Sequence, residues 1–113
     1  MSEGKVKTAK AKVHAPPDGT GGLDGKFHVY IYDVFNKSFG PGKAFENLER
    51  AVSFQRHEQE HIYTAQEADP ALFDLPFISS DPDLVSRVER DAAYRTRLEK
   101  DLVVEARSRA RRR

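Results

Sequence analysis

The chain has 113 residues, no cysteine and a formal net charge of +1, with 33% of its residues charged. One domain is the natural count for that length, and without cysteine a metal would have to rest on His and carboxylate ligands. No apolar run approaches the ~20 residues that span a bilayer, and no apolar segment follows the N-terminal lysines as a secretory leader requires; a cytoplasmic protein without membrane contact or cofactor is expected.

Residues 1–25 mix Lys, Ala, Pro and Gly with almost nothing to bury, so they cannot offset their ordering entropy and are expected to be a disordered basic leader. "KFHVYIYDVF" is the clearest strand. Period two sets Phe27, Val29, Ile31, Asp33 and Phe35 on one face and His28, Tyr30, Tyr32 and Val34 on the other. "NKSFGPG" carries turn chemistry, with room for a short return strand at Ser38 and Phe39. From Lys43 to about Gln66 an apolar stripe of Phe45, Leu48, Val52, Gln55 and Ile62 predicts a helix, closed by Asp69-Pro70. "ALFDLPFI" alternates Phe73, Leu75 and Phe77 as a second strand, and Pro76 argues for an edge or a bulge there. Asp81-Pro82-Asp83 then starts a helix. It is expected to run unbroken through Leu84, Val88, Leu98 and Leu102 toward the arginine run. These elements make an α+β domain at 26–105: a small antiparallel sheet packed against two helices, with basic disordered tails at 1–25 and 106–113.

Inside the first helix, His57-Glu58-Gln59-Glu60-His61 matches H-E-x-x-H, by which two His one turn apart hold zinc while the Glu activates water. Three features oppose that reading. His57 and His61 fall opposite the apolar stripe, so they should face solvent. The surrounding positions Arg56, Gln59 and Glu60 are polar or charged, unlike the buried helix of a zinc protease. No third ligand stands in a motif; His14, His28 and Glu89 are candidates by type alone. A solvated helix face, or at most an adventitious surface metal site, is expected, with no catalysis and no resident metal. There is no nucleophile elbow and no phosphate-binding glycine loop.

Charge is unevenly placed. Lys5, Lys7, Lys10 and Lys12 lie at one end and Arg107, Arg109, Arg111, Arg112 and Arg113 at the other, around an acidic middle from Glu58 to Asp83. Basic arms attract polyanions by releasing counterions, though they also serve as solubilising tails. Tyr30 and Tyr32 share a strand face with Lys26 and Lys37 near its ends and Lys43 beyond the turn. Aromatics flanked by cations on a sheet are how many proteins stack single-stranded bases. If only one sheet face meets helices, Val29 and Ile31 take that side and the tyrosines stay exposed. The competing reading packs both rings under a helix with their hydroxyls at the rim.

"VYIYDVFNKSFGPGKAF", followed by "ENLERAVSFQRHEQ" and "ADPALFDLPFI", resembles the small non-structural DNA-binding protein of gokushovirus-type microviruses over residues 27–78. The matching pieces are Tyr32-Asp33, Gly40-Pro41 with Phe45, Ala51-Val52, Asp69-Pro70 and Phe73-Asp74-Leu75. The family's final Gly-aromatic-Asp turn is replaced here by "SSDPDLV" and a long charged helix, and the lysine-rich leader is additional. The resemblance implies a phage protein in the host cytoplasm that binds DNA, with no catalytic residues to carry over.

The leading expectation is a non-enzymatic nucleic-acid-binding accessory protein, single-stranded DNA favoured, in which Lys26, Lys37, Lys43, Arg107, Arg109 and Arg111–Arg113 neutralise phosphates and Tyr30 and Tyr32 stack bases. The runner-up is a structural or assembly protein whose C-terminal helix and basic ends meet a partner or a packaged genome, with room for a homo-oligomer. A zinc hydrolase is third.

Overall fold

Alternation in "FHVYIYD" forms the central strand β2, Phe27–Asp33, and the rest of the sheet assembles around it. The computed structural model describes residues 11–17, 23–66 and 74–110, leaving out the side chains of 61–66 and 109–110. In chain order the other elements are β1 (Val13–His14), β3 (Ser38–Phe39), β4 (Lys43–Phe45), α1 (Leu48–Gln66), β5 (Asp74–Ser79), α2 (Leu84–Arg90) and α3 (Ala92–Ala110). The sheet order is β1-β5-β2-β3, with β4 also on β2. β5 and β2 run antiparallel along their whole length, from His28↔Ser79 to Asp33↔Asp74. β1 pairs β5 in parallel, Val13↔Ile78 and His14↔Ser79, so the sheet is mixed rather than purely antiparallel.

β3 and β4 are two halves of one return strand with a register shift between them. Residue numbers across the pair sum to 71 at Tyr32↔Phe39 and to 72 at Val29↔Lys43. One extra residue is therefore inserted at Gly40–Gly42, the signature of a β-bulge. Gly40 keeps the ladder, its N–H donating to the Ile31 carbonyl at 2.9 Å. Gly42 lies flat on the Tyr30 ring, where a Cβ would come within 2.6 Å of a ring carbon.

The predicted helix from Lys43 begins late. Residues 43–45 extend along β2, and Asn47 starts the helix by accepting the Arg50 N–H on its side chain at 2.9 Å. That is an N-cap the hydrophobic period conceals. The inward face of α1 is half polar: Ala51, Val52, Gln55 and Gln59 are buried. Gln55 donates its amide to the Pro76 carbonyl at 3.1 Å. Among the described residues β1 pairs only with the last two residues of β5, so no strand there needs the N–H that Pro76 lacks, and Gln55 donates to its carbonyl.

The predicted single C-terminal helix is broken at Asp91. Its backbone is extended (φ −124, ψ 92) and its carboxylate accepts the Tyr94 N–H at 3.0 Å. A short side chain competing for helical N–H groups ends α2 and caps α3. Three helices result instead of two, and both sheet faces are covered. α1 packs over Val29 and Ile78, joined by Val13, Phe27 and Phe45. α2 and α3 pack over Tyr30, Tyr32, Leu75 and Phe77 with Leu84, Val88, Tyr94, Leu98, Leu102 and Ala106. Two of these corrections concern the tails. β1 lies within the stretch expected to be a disordered leader, and Arg107 and Arg109 lie on α3, on which Ala106 is the last buried residue among those described.

Candidate nucleic-acid interface

Tyr30 and Tyr32 are each only 3% exposed, which overturns their expected role as an open stacking surface. Covering both sheet faces is the cause. The Tyr30 ring is layered between His28 and Phe77, at 6.0 and 5.8 Å, and its hydroxyl donates to the Asp81 carbonyl at 2.6 Å. The Tyr32 hydroxyl donates to Glu99 on α3 at 2.6 Å, and its ring meets Phe39 at 4.6 Å. Burial pushes the Tyr30 phenol up to about 12. Tyr32 is raised by burial and by the Glu99 carboxylate that accepts its hydrogen bond.

The lysines are placed apart. Lys26 reaches Glu46 at 3.6 Å, and Lys43 lies on the α1 side, 4.9 Å from the Phe54 ring centre. Lys37 sits at the other end of β2, ~20 Å away at about 3.3 Å per residue. It adopts φ 55, and its carbonyl accepts a hydrogen bond from Arg95. These three cations do not form one patch. Arg107 is exposed on α3. Arg109 is on α3 with its side chain outside the described residues, and Arg111, Arg112 and Arg113 lie outside them altogether.

A different set of cations does converge, one that a period-two reading of the strand could not find. On α3, residues Tyr94, Leu98, Leu102 and Ala106 face the sheet. At 100° per residue the opposite arc holds Ala93, Thr96, Arg97, Lys100, Val104 and Arg107, all exposed. No carboxylate falls within it; Asp101 sits half-buried at one border. The other acids of the helix are turned toward the body. Glu99 receives the Tyr32 hydroxyl and lies 3.5 Å from Arg95, and Glu105 meets His14 at 2.8 Å. Among the described residues no ion pair engages Arg97 or Lys100. The 3-4-3 spacing of 97, 100, 104 and 107 was visible in the sequence as the signal.

Phe35 is the second correction. Parity put it on the core face with Ile31, yet it is 87% exposed. Pairing of Asp33 with Ser38 makes Val34–Lys37 a turn, and alternation stops there. Asp33 fixes the turn by accepting the Asn36 backbone and side-chain amides, which hold its carboxyl below the usual range. Its cross-strand neighbour Asp74 is raised by burial and then by the Asp33 charge. The end of the sheet below Phe35 is thus acidic, a poor setting for phosphate. A folded pKa raised above the unfolded one means that ionised Asp74 opposes folding at neutral pH. Asp74→Asn should therefore stabilise by ~0.5 kcal/mol at pH 7, small because the carboxyl is solvent-screened. The gain should vanish as pH falls below the ordinary aspartate range, where Asp74 is protonated in both states. Urea midpoints of the two proteins across pH check this, and a gain that grew on acidification would contradict it.

Around H-E-x-x-H, His57 is exposed, Glu58 half-buried and Gln59 buried, while the His61 side chain lies outside the described residues. His14 and His28 are occupied elsewhere, by Glu105 and by Asp24 at 3.0 Å, and Glu89 is exposed on α2. Among the described residues no group of three or more His, Cys, Asp or Glu is placed to hold a metal ion. No described helix is long and apolar enough to cross a membrane.

The chain matches no protein-family model, no curated protein and no solved structure.

Proposed function

We propose that this protein is a non-enzymatic nucleic-acid-binding protein that grips phosphates with the outward arc of α3. The observation that carries the reading is the sorting of charge on that helix: Glu99 and Glu105 are turned inward onto Tyr32 and His14, while Arg97, Lys100 and Arg107 are exposed on one face. A helix of nearly balanced composition thereby presents a basic surface. Such a surface releases counterions from a polyanion whatever its sequence. The arginines that follow in the sequence, Arg109 and Arg111–Arg113, add to the same end of the chain. The argument for single strands rested on the tyrosines and goes with their burial. A phage-type accessory role in a host cytoplasm rests on the resemblance of residues 27–78.

Salt-dependent binding tests this. Arg97→Ala and Lys100→Ala alter exposed side chains, so circular dichroism and melting should be unchanged. Each lost phosphate contact should lower the slope of log K against log salt by ~0.7–0.9. Wild-type slopes in both variants would refute the assignment of α3. The assembly-protein reading keeps one observation in its favour, the exposed Phe35 on a turn fixed by Asp33 and by Arg95. It gains if no nucleic acid binds and Phe35→Ser abolishes a self-association seen by sedimentation.

A further inference from the structure

Resting on that reading, we infer that the arc Ala93–Arg107 of α3 is a major-groove element, and that the ligand is B-form duplex DNA rather than a single strand.

The first argument is what the surface lacks. Binding of unpaired bases uses aromatic platforms beside the cations. The rings near α3 are committed to the interior: Tyr30, Tyr32 and Tyr94 are buried, and Phe39 is partly buried against them. The exposed Phe35 is not on the arc; it lies on the turn at the acidic Asp33–Asp74 end of the sheet, whose Lys37 carbonyl accepts from Arg95. Among the described residues, a single strand would find phosphate partners on the arc but no ring within it to stack on.

The second argument is shape. The arc is the outer surface of a helix of 19 residues. It is a straight ridge ~21 Å long from Ala93 to Arg107, at 1.5 Å per residue. A helix is ~10–12 Å across, and the major groove of B-DNA is ~12 Å wide and ~8.5 Å deep. The ridge is low where it must approach base edges, with Ala93, Thr96 and Val104 between the long side chains. Small apolar groups meet thymine methyls, and Arg or Lys reach guanine acceptors or the flanking phosphates. Arg97, Lys100 and Arg107 are exposed on this ridge, and Asp101 marks one border, where a phosphate would be repelled. A protein partner fits less well. Apart from Val104, 63% exposed, the arc offers no large apolar anchor of the kind that protein interfaces bury.

The test is fluorescence anisotropy of the full chain with labelled duplex DNA, single-stranded DNA and duplex RNA of equal length and matched sequence. Duplex DNA should bind at least about tenfold more tightly than either of the others. A-form RNA hides its major groove from side chains, so equal affinity for duplex RNA would overturn groove insertion. Methyl green, which occupies the major groove, should compete; competition by the minor-groove ligand distamycin alone would overturn it as well. Val104→Glu places a carboxylate at mid-ridge on an exposed site, so the fold should hold while duplex binding falls by at least about tenfold. Undiminished duplex binding by that variant would count against the inference. Tight single-strand binding with weak duplex binding would sink this inference while leaving phosphate binding intact. Failure of all three nucleic acids would sink the proposed function itself.

Discussion

Tyr30→Ala should destabilise the domain by about 3–5 kcal/mol, enough to remove much or all of the ~5–15 kcal/mol that holds a domain together. The ring fills the space between His28, Phe77 and Gly42, and no neighbour can collapse into its place. Gly42 has no side chain, and Phe77 is fully buried on its own strand. Tyr30→Phe separates the ring from its hydroxyl. It keeps the packing and loses the hydroxyl's bonds to the Asp81 carbonyl and from the Leu84 N–H, for a cost of about 1–2 kcal/mol. Urea denaturation followed by circular dichroism measures both. An alanine variant with a near-normal midpoint would return Tyr30 to the surface and reopen the stacking platform.

Asp81→Ala should cost about 2–4 kcal/mol, near the lower end for breaking a buried pair because Arg87 retains some contact with water. Asp81 is fully buried and its side chain is the organiser of the β5–α2 junction. One oxygen accepts the Asp83 N–H at 2.9 Å and the other takes the Arg87 guanidinium. Asp83, the residue that precedes α2, makes no side-chain cap bond of its own, so the role falls to the carboxylate two residues earlier. Alanine would remove the acceptor that both donors share. Asn should retain the bond from the Asp83 N–H and recover part of the loss. A double-mutant cycle with Arg87→Ala should show a coupling of about 1–3 kcal/mol; strictly additive losses would mean that the pair contributes little.

The strands were legible in the sequence wherever one rule governed a stretch. β2 follows from alternation, the parity of Leu75 and Phe77 held in β5, and Pro76 precedes the two residues of β5 that pair β1. Elements failed to read where a single polar side chain overrides a period. Asn47 turns "KAFENL" from helix into strand plus helix, and Asp91 cuts one long helix into two. The second break decided the site. A third helix covers the sheet face that a two-layer domain would leave open, so the tyrosines that looked like a surface became a core. β1, at two residues, was too short for any periodic signal. The arc on α3 was readable from its spacing, but charge alone could not say which side of so polar a helix faced outward. Leu98 and Leu102 settle it by packing on Tyr30, Tyr32 and Phe77.

The His14–Glu105 bond joins residues 91 positions apart, and with the Ser80 N–H on the His14 carbonyl it anchors β1. This gives the chain an order of assembly. β1 is made before its pairing strand β5, which comes more than sixty residues later, and its side-chain partner comes later still. Contacts of that span form slowly because loop closure must come first. Loop-closure entropy therefore favours docking of β1 after β2 and β5 have paired. Until β1 docks, the edge of β5 that takes Val13 and His14 is unpaired, and a neighbouring chain can add to it there.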